Sequence, residues 1–154
     1  MPALRSPHPD WASHIPVLVK SLWLFDGPVL ELGMGYFSTP LLHTLCASSG
    51  RMLFSYESDG RFLDMFRRFK TSRHLILDAG DWNGLSLDSE WGVAFVDQKP
   101  AEARVPTIKQ LTHAKVVVIH DSQDPAYGYD EIYPLFKYRY DYTRFNAHTS
   151  VLSN

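Results

Sequence analysis

Residues 29–39 read Val-Leu-Glu-Leu-Gly-Met-Gly-Tyr-Phe-Ser-Thr, and the interpretation of the whole chain starts from them. A short apolar run precedes Gly33 and Gly35, which let the backbone turn tightly and approach a ligand without a Cβ in the way. Thr39 is predicted to cap the helix that follows, with Pro40 at the first helical position. A strand, a glycine loop and a helix in this order are typical of folds that bind a nucleotide or another phosphate-bearing ligand.

The same order of strand and helix recurs along the chain. Uniformly apolar strands that alternate with helices predict a parallel sheet covered on both faces. The C-terminus differs, because two strand-like runs are separated only by Asn146-Ala147, which predicts an antiparallel hairpin. The predicted strands are 29–32, 52–57, 74–77, 93–96, 115–119, 139–145 and 148–152, and the predicted helices are 11–25, 39–49, 60–69 and a segment within 101–111.

Length and composition limit the domain organisation and the class of protein. The 154 residues fit one α/β domain, 1–154, with 1–25 as an N-terminal helical segment. A formal net charge of −2 argues against a nucleic-acid binder. Cys46 is the only cysteine, which excludes an internal disulfide and a cysteine-based zinc site. No export signal or membrane span is recognised, so we expect a soluble cytoplasmic protein without a membrane partner.

Acidic residues and glycines follow the predicted strands at the positions where an open parallel sheet binds ligands, beyond the carboxyl ends. Glu57 lies 22 positions after Gly35, at the end of the next strand. A carboxylate there can accept hydrogen bonds from both hydroxyls of a ribose, so the loop and the acid together predict nucleoside binding. The remaining groups at this edge are Asp81-Trp82, Asp97 and His120-Asp121.

Two other nucleotide-binding classes fit less well. A dinucleotide fingerprint has a third glycine where this chain has Ser38, and Glu31 is unexpected in the apolar strand of such a site. A nicotinamide enzyme would also need a substrate domain, for which no residues remain. A P-loop is excluded because no Gly-Lys-Ser/Thr follows the glycines.

Residues 31–39 resemble the first motif of class I S-adenosylmethionine-dependent methyltransferases, in the variant that replaces the third glycine. The resemblance extends from about 29 to 153. It implies a Rossmann-like three-layer sandwich, with a mostly parallel seven-stranded sheet that ends in a C-terminal antiparallel hairpin. It also implies S-adenosylmethionine as the cofactor and S-adenosylhomocysteine as the product.

The resemblance implies where the cofactor would bind. Glu31 and the 33–35 backbone would lie near the methionine moiety, and Glu57 would bind the ribose. Asp81 with Trp82 would frame the adenine, and Asp97 would lie below the donor methyl group. The expected cofactor-binding residues are Glu31, Gly33, Met34, Gly35, Tyr36, Ser38, Thr39, Glu57, Ser58, Asp81, Trp82 and Asp97.

His120 and Asp121 are the candidate catalytic residues. Histidine titrates near neutral pH, so either side chain is expected to take the proton of an acceptor as the methyl group moves. The alternative is a packed histidine beside an aspartate that caps a turn. In the similar catechol-type enzymes, residues at the positions of Asp97 and Asp121 share a divalent metal. Those enzymes use a further asparagine as a ligand, and this chain has Ser122 in its place, so no metal is expected.

The acceptor is not specified by any motif. Tyr127, Tyr129 and Tyr133 either form the wall of an acceptor pocket or make a surface cluster. The expected function is transfer of a methyl group from S-adenosylmethionine to an oxygen or nitrogen of a small molecule. The alternatives are a non-catalytic nucleoside-binding module and a small NAD-dependent oxidoreductase. The short chain leaves few residues for substrate recognition, which raises the hypothesis of a pocket completed in a homo-oligomer.

Overall fold

A seven-stranded sheet forms the centre of the chain in the computed structural model, which describes residues 6–154. Its strands are β1 (Val29–Leu32), β2 (Leu53–Glu57), β3 (His74–Asp78), β4 (Val93–Val96), β5 (Val116–His120), β6 (Tyr138–Tyr142) and β7 (Thr149–Ser153). They are ordered β3-β2-β1-β4-β5-β7-β6. The first five are parallel, and β7 pairs antiparallel with both β5 and β6. The predicted fold class and the terminal hairpin are confirmed.

Four helices and several short 3₁₀ turns connect and cover the strands. The helices are α1 (Ile15–Leu24), α2 (Ser38–Ser49), α3 (Gly60–Phe66) and α4 (Arg104–Lys109). Every residue of β1, β4 and β5 is buried, because these central strands are covered on both faces. All but one of the β6 residues are exposed, as expected of an edge strand.

Two apolar clusters fill the spaces above and below the sheet. Alternate residues of β1 point to opposite faces, so Leu30 and Leu32 belong to one cluster and Val29 to the other. The Val29 cluster includes Leu18 of α1 with Leu42 and Cys46 of α2. The Leu30 cluster includes Ile108 of α4. Glu31 is two residues after Val29, so its side chain points to the same face of the sheet, toward the α1 and α2 layer.

Several local predictions needed correction. The predicted helix 60–69 is shorter, because α3 ends at Phe66 and a 3₁₀ turn covers Arg67–Phe69. The first helix starts at Ile15, because a separate 3₁₀ turn at Pro9–Ala12 precedes it. Helix α2 has Phe37 at its cap position and no side-chain cap, since the Thr39 hydroxyl bonds to Gly35 N and Glu31 instead. The terminal hairpin has a longer connection than two residues, because β6 ends at Tyr142 and β7 begins at Thr149. Within residues 6–154, no helix combines the length and apolar character that crossing a membrane requires.

Candidate functional site

A cleft of about 610 Å³ opens at the carboxyl edge of the sheet. It is surrounded by the segment 8–14 before α1, by the glycine loop between β1 and α2, and by the ends of β2, β4 and β5. Ligands bind at this edge in open α/β sheets. The lining residues are Trp11, His14, Met34, Gly35, Tyr36, Phe37, Ser38, Glu57, Asp59, Arg61, Phe62, Asp97, Lys99, His120, Asp121 and Tyr127.

The glycine loop lies directly against the segment that follows β4. Gly33 has a φ of +89°, and a Cβ at this position would lie 2.6 Å from the Gln98 backbone nitrogen and Cα. Both the positive φ and the close approach require glycine. The residue is therefore essential for the loop conformation, although its own atoms do not line the cleft within the described chain.

Glu57 ends β2 and joins the glycine loop to the loop after β2. One carboxylate oxygen accepts the Met34 N–H at 2.9 Å, and the other accepts the N–H groups of Ser58 and Asp59 at 2.7 and 2.9 Å. Burial raises the pKa of Glu57, against the effect of these three backbone donors. Its side chain lines the cleft, and the three backbone donors leave about one of the four acceptor sites of the carboxylate, on the oxygen that binds Met34, for a ligand.

Glu31, which was predicted to lie near the methionine moiety of a bound cofactor, does not line the cleft within residues 6–154. The residue has no exposed surface, because its side chain points beneath the first turn of α2. Thr39 Oγ1 and Ser55 Oγ donate to its two oxygens at 2.9 and 2.5 Å. Burial raises the pKa of Glu31 to about 7, although these hydroxyl bonds oppose the shift. Glu31 therefore supports the loop from behind.

A chain of hydrogen bonds leads from Glu31 away from the cleft. Because the Ser55 hydroxyl donates to Glu31, its oxygen accepts from Nε2–H of His74 at 2.9 Å. The other His74 nitrogen lies 3.0 Å from Nδ1 of His43. Burial and then the nearby His43 lower the pKa of His74 to about 4, so His74 is neutral at pH 7. The Glu31 carboxyl group is thus bound by hydroxyl groups, and the neutral His74 lies behind Ser55.

Arg104 lies at the base of the site, and no motif in the sequence indicated this residue. Its side chain is fully buried, and its guanidinium lies 2.8 Å from Asp97 Oδ1 and 3.5 Å from Asp121 Oδ2. It also donates to the carbonyl oxygens of Gln98 and His120 and to the Tyr129 hydroxyl. The charges of His120 and Arg104 outweigh the effect of burial and lower the pKa of Asp97 to about 2. Asp97 is therefore ionised.

His120, which was predicted as a proton acceptor, has a hydrogen-bonding partner at each ring nitrogen. Ser13 Oγ donates to the Ala147 carbonyl oxygen at 2.5 Å, so it accepts from Nε2–H of His120 at 2.9 Å. The other ring nitrogen lies 3.3 Å from Asp97 Oδ1. Burial lowers the pKa of His120, but the Asp97 carboxylate outweighs it, and the net shift is upward. With acceptors at both nitrogens, the ring has no free lone pair.

Asp121 and Tyr127 form the other side of this end of the cleft. Asp121 has a φ of 57°, and its side chain is 26% exposed, so the carboxylate remains accessible. The Tyr127 hydroxyl donates to Asp121 Oδ2 at 3.2 Å. Of the three predicted pocket tyrosines in the described chain, only Tyr127 lines the cleft, since Tyr129 is buried beneath it and Tyr133 packs against Arg139.

Asp97, His120 and Asp121 form a group whose potential metal-ligating atoms lie within 4.8 Å of one another. A divalent cation would need these carboxylates to be available. Here both carboxylates already contact the Arg104 guanidinium, and both His120 nitrogens face other acceptors. The positive charge that balances the acids is thus provided by side chains of the chain itself.

The N-terminal segment forms a wall of the cleft that the sequence did not predict. Trp11 stacks on Tyr36 of the glycine loop, with ring centroids 6.4 Å apart and planes inclined by 13°. His14 packs on Phe95 and His120, with centroid distances of 4.6 and 5.0 Å. The apolar spacing of this segment indicated only a helix face, because nothing in the sequence relates it to the carboxyl edge of the sheet.

The structure divides the predicted site residues into two groups. Met34, Gly35, Tyr36, Ser38, Glu57, Asp97, His120 and Asp121 line the cleft. Glu31, Gly33, Thr39, Ser58, Asp81 and Trp82 do not line it within the described chain. Asp81 is exposed and caps a 3₁₀ turn, whereas Trp82 is buried and donates through Nε1 to Ser58 Oγ and the Lys99 carbonyl oxygen. Their predicted adenine contact has no counterpart among the cleft-lining side chains.

No protein-family model and no curated protein sequence matches the chain. Solved structures do match. An O-methyltransferase from Bacillus cereus in complex with S-adenosylhomocysteine has a TM-score of 0.61 at 16% identity, covering 100% of this chain and 84% of that chain. The O-methyltransferase TomG from Streptomyces achromogenes, in complex with S-adenosylmethionine, has a TM-score of 0.62 at 16% identity, with coverages of 100% and 83%.

A third similar structure is an S-adenosylmethionine-dependent O-methyltransferase from Thermotoga maritima. Its TM-score is 0.63 at 13% identity, and the match covers 98% of this chain and 67% of that chain. At these identities the likeness establishes the fold. The chain thus has the Rossmann-like fold found in these methyltransferases.

Proposed function

We propose that this chain is an S-adenosylmethionine-dependent methyltransferase that acts on an oxygen or nitrogen of a small molecule. The position of Glu57 is the observation that carries the proposal. Its carboxylate ends β2, lines the cleft and accepts the N–H of Met34 in the glycine loop. A ribose bound there would donate a hydroxyl group to the acceptor site of this carboxylate that the three backbone donors leave free.

The shape of the cleft and its polar groups fit the cofactor. A cavity of about 610 Å³ is in the range of small-molecule sites, which extends over ~300–1,000 Å³. Gly33 brings the loop against the Gln98 backbone, so that Gly35 and Ser38 line the space next to Glu57. We expect the adenosine part to bind beside Glu57 and the reacting end to bind near Asp97, His120 and Asp121.

The side chains at the reacting end have separate roles in this proposal. When bound, S-adenosylmethionine supplies an electrophilic methyl group whose bond to sulfur breaks as the acceptor atom bonds to carbon. Asp121 takes the proton of the acceptor, because Asp97, although equally exposed, lies closer to the Arg104 guanidinium and its pKa is lowered to about 2. His120 and Arg104 keep Asp97 ionised. Holding the reactants aligned contributes several kcal/mol to such reactions.

The first experiment is a calorimetric titration with S-adenosylhomocysteine, with NADH as the control ligand. Binding of S-adenosylhomocysteine alone in the micromolar range supports the proposal. Binding of NADH alone would favour the oxidoreductase alternative. Binding of neither ligand would remove the proposed function.

Glu57→Ala tests the ribose contact. The affinity for S-adenosylhomocysteine should fall by at least tenfold, since the ribose hydroxyls would lose a charged acceptor worth roughly 1.5–3 kcal/mol. Asp64→Ala is the matched control, because Asp64 is an exposed acid that pairs only with Arg67 on the surface of α3. Unchanged affinity of Glu57→Ala in a variant with wild-type circular dichroism would refute the ribose role.

A further inference from the structure

Strand β6 is an edge of the sheet, and its outer side has no neighbouring strand. The strand order ends at β6, which within residues 6–154 pairs only with β7. An edge strand presents a row of N–H and C=O groups that no other strand satisfies. Tyr138 and Tyr140 are 57% and 58% exposed, so the side chains of this strand are also open to contact. The strand is therefore suited to pair with a strand of another chain.

The residues of β6 read Tyr-Arg-Tyr-Asp-Tyr, with aromatic rings placed symmetrically about Tyr140 and opposite charges on its two sides. Alternate side chains of a strand point to opposite faces. The tyrosines share the face of Val151, which is the α1 side of the sheet, because Tyr140 pairs with Val151. Arg139 and Asp141 share the other face, where Arg139 Nε donates to Asp141 Oδ1 at 2.8 Å. One face of the strand is thus aromatic and the other is charged.

This pattern selects one register for pairing with a second copy of the chain. Residues directly opposite each other in an antiparallel pair share a face, so a two-fold symmetric pair of β6 strands has one residue at its centre. A centre at Arg139 places two cations opposite each other, and a centre at Asp141 places two acids opposite each other. A centre at Tyr140 instead places Arg139 opposite the partner's Asp141 twice.

The charges of β6 do not prevent pairing in this register. Charged side chains on an edge strand usually keep other chains from adding to the sheet. Here the two charges have opposite signs and are two residues apart, so they repel a copy that pairs one position to either side and attract a copy that is centred on Tyr140. The strand is therefore complementary to itself.

We propose that β6 joins two copies of this chain through a two-fold antiparallel pair centred on Tyr140. The two sheets then form one continuous sheet of fourteen strands, seven from each copy. On the charged face, Arg139 lies between its own Asp141 and the partner's Asp141. On the aromatic face, Tyr138 lies opposite the partner's Tyr142. Opposite charges and aromatic rings both stabilise antiparallel strands as cross-strand pairs. This inference is independent of the proposed function.

Sedimentation velocity over a concentration series tests the pair with the full chain. The wild type should sediment as a dimer. Arg139→Asp gives each strand two acids, and Asp141→Arg gives each strand two cations, so like charges face each other twice in either homodimer. Each variant should raise the dissociation constant of the dimer at least tenfold.

A mixture of the two variants separates contacts between chains from the ion pair within one strand. In a dimer of Arg139→Asp with Asp141→Arg, each acid of one chain faces a cation of the other. Both variants lack the ion pair within their own strand, so a dimer that forms only on mixing requires contact between the two chains. The equimolar mixture should recover most of the affinity that each variant loses alone.

Two further variants serve as controls. Asp64→Arg reverses an exposed acid that pairs only with Arg67 on α3, and its dissociation constant should equal that of the wild type. Tyr140→Lys places two like charges at the centre of the pair. It should weaken the dimer and provides the measurement if a charge reversal fails to fold, which circular dichroism shows.

The other outcomes overturn the inference. A wild-type chain that remains a monomer would leave β6 to a strand of a different protein. A dimer that both charge reversals leave intact would place the contact on another surface. Charge reversals that stay monomeric after mixing would remove the register centred on Tyr140. None of these results changes the binding of S-adenosylhomocysteine, on which the proposed function is tested.

Discussion

Glu31 lies in β1 and Asp97 directly follows the neighbouring strand β4, yet their carboxyl groups have opposite pKa shifts. Glu31 is surrounded by hydroxyl groups, and burial raises its pKa to about 7. Asp97 contacts Arg104 and the charged His120, which outweigh burial and lower its pKa to about 2. The two groups differ in both exposure and partners: hydroxyl groups do not offset the burial of Glu31, whereas two cations stabilise the ionised form of the more exposed Asp97.

The two sides of the carboxyl edge therefore differ in charge and in proposed role. The Glu31 side of the sheet forms a polar but nearly uncharged support for the glycine loop and α2. The Asp97 side concentrates two acids and two cations at the end where we propose that the reaction occurs. Gly33 lies at the junction, with its backbone against Gln98. Variants at these positions test whether the two sides are as different as their geometry indicates.

Removal of the buried cation should have the largest effect. Arg104→Met leaves Asp97 and Asp121 without their guanidinium partner, and breaking a buried ion pair costs about 3–5 kcal/mol of unfolding free energy. Arg104→Lys should lose less, because it keeps the charge but not the donors to Gln98 and His120. Urea denaturation measures both variants.

Arg144→Met is the control for this substitution, since Arg144 is an exposed residue. It should leave the unfolding free energy unchanged. A loss below about 1 kcal/mol in Arg104→Met would contradict the role of Arg104 as the balancing charge.

The junction between the two sides is tested by Gly33→Ala. The added Cβ meets backbone atoms at 2.6 Å, and the residue must keep a φ of +89°. Strain and overpacking together predict a loss of about 3 kcal/mol in unfolding free energy. Gly84→Ala is the matched control, because a Cβ there has no heavy atom within 4 Å. Equal stability of the two variants would show that the loop can move away from β4.

The pH dependence of the unfolding free energy tests the Glu31 side of the sheet. The pKa of Glu31 rises from 4.5 to about 7 on folding, so the unfolded chain releases this proton first as the pH increases. Stability from this group is therefore complete below pH 4.5 and is lost as the pH rises through about 7. The loss is at most about 3 kcal/mol.

Glu31→Gln should remove that fall, which is measured as the difference between variant and wild-type unfolding free energies from pH 4.5 to 8. The exposed Glu131→Gln serves as the control, because its side chain pairs only with Lys109 at the surface. A constant difference between Glu31→Gln and wild type across this range would mean that Glu31 ionises normally in the folded protein.

Local patterns accounted for most of the fold. The boundaries of β1 and β4 agree with the sequence, because short apolar runs with turn residues on both sides have one good solution in a covered parallel sheet. Gly50 ends α2 in the left-handed conformation, as its position after the apolar helix predicts. The side-chain cap at Thr39 was wrong, because a hydroxyl at that position can bond either to its own helix or to a buried acid nearby.

The site was predicted less completely than the fold, and the reason is physical. The chain order of residues establishes which of them follow a strand, so Glu57, Asp97 and Asp121 were found at the carboxyl edge. The direction of a side chain and the partners that surround it depend on residues distant in sequence. Arg104 makes Asp97 an ion pair, Ser13 and Asp97 hold His120 charged, and the packing of α2 withdraws Glu31 from the cleft. Local spacing carries the periodicity of strands and helices, whereas charge state and access to ligand arise from contacts that exist only once the chain has folded.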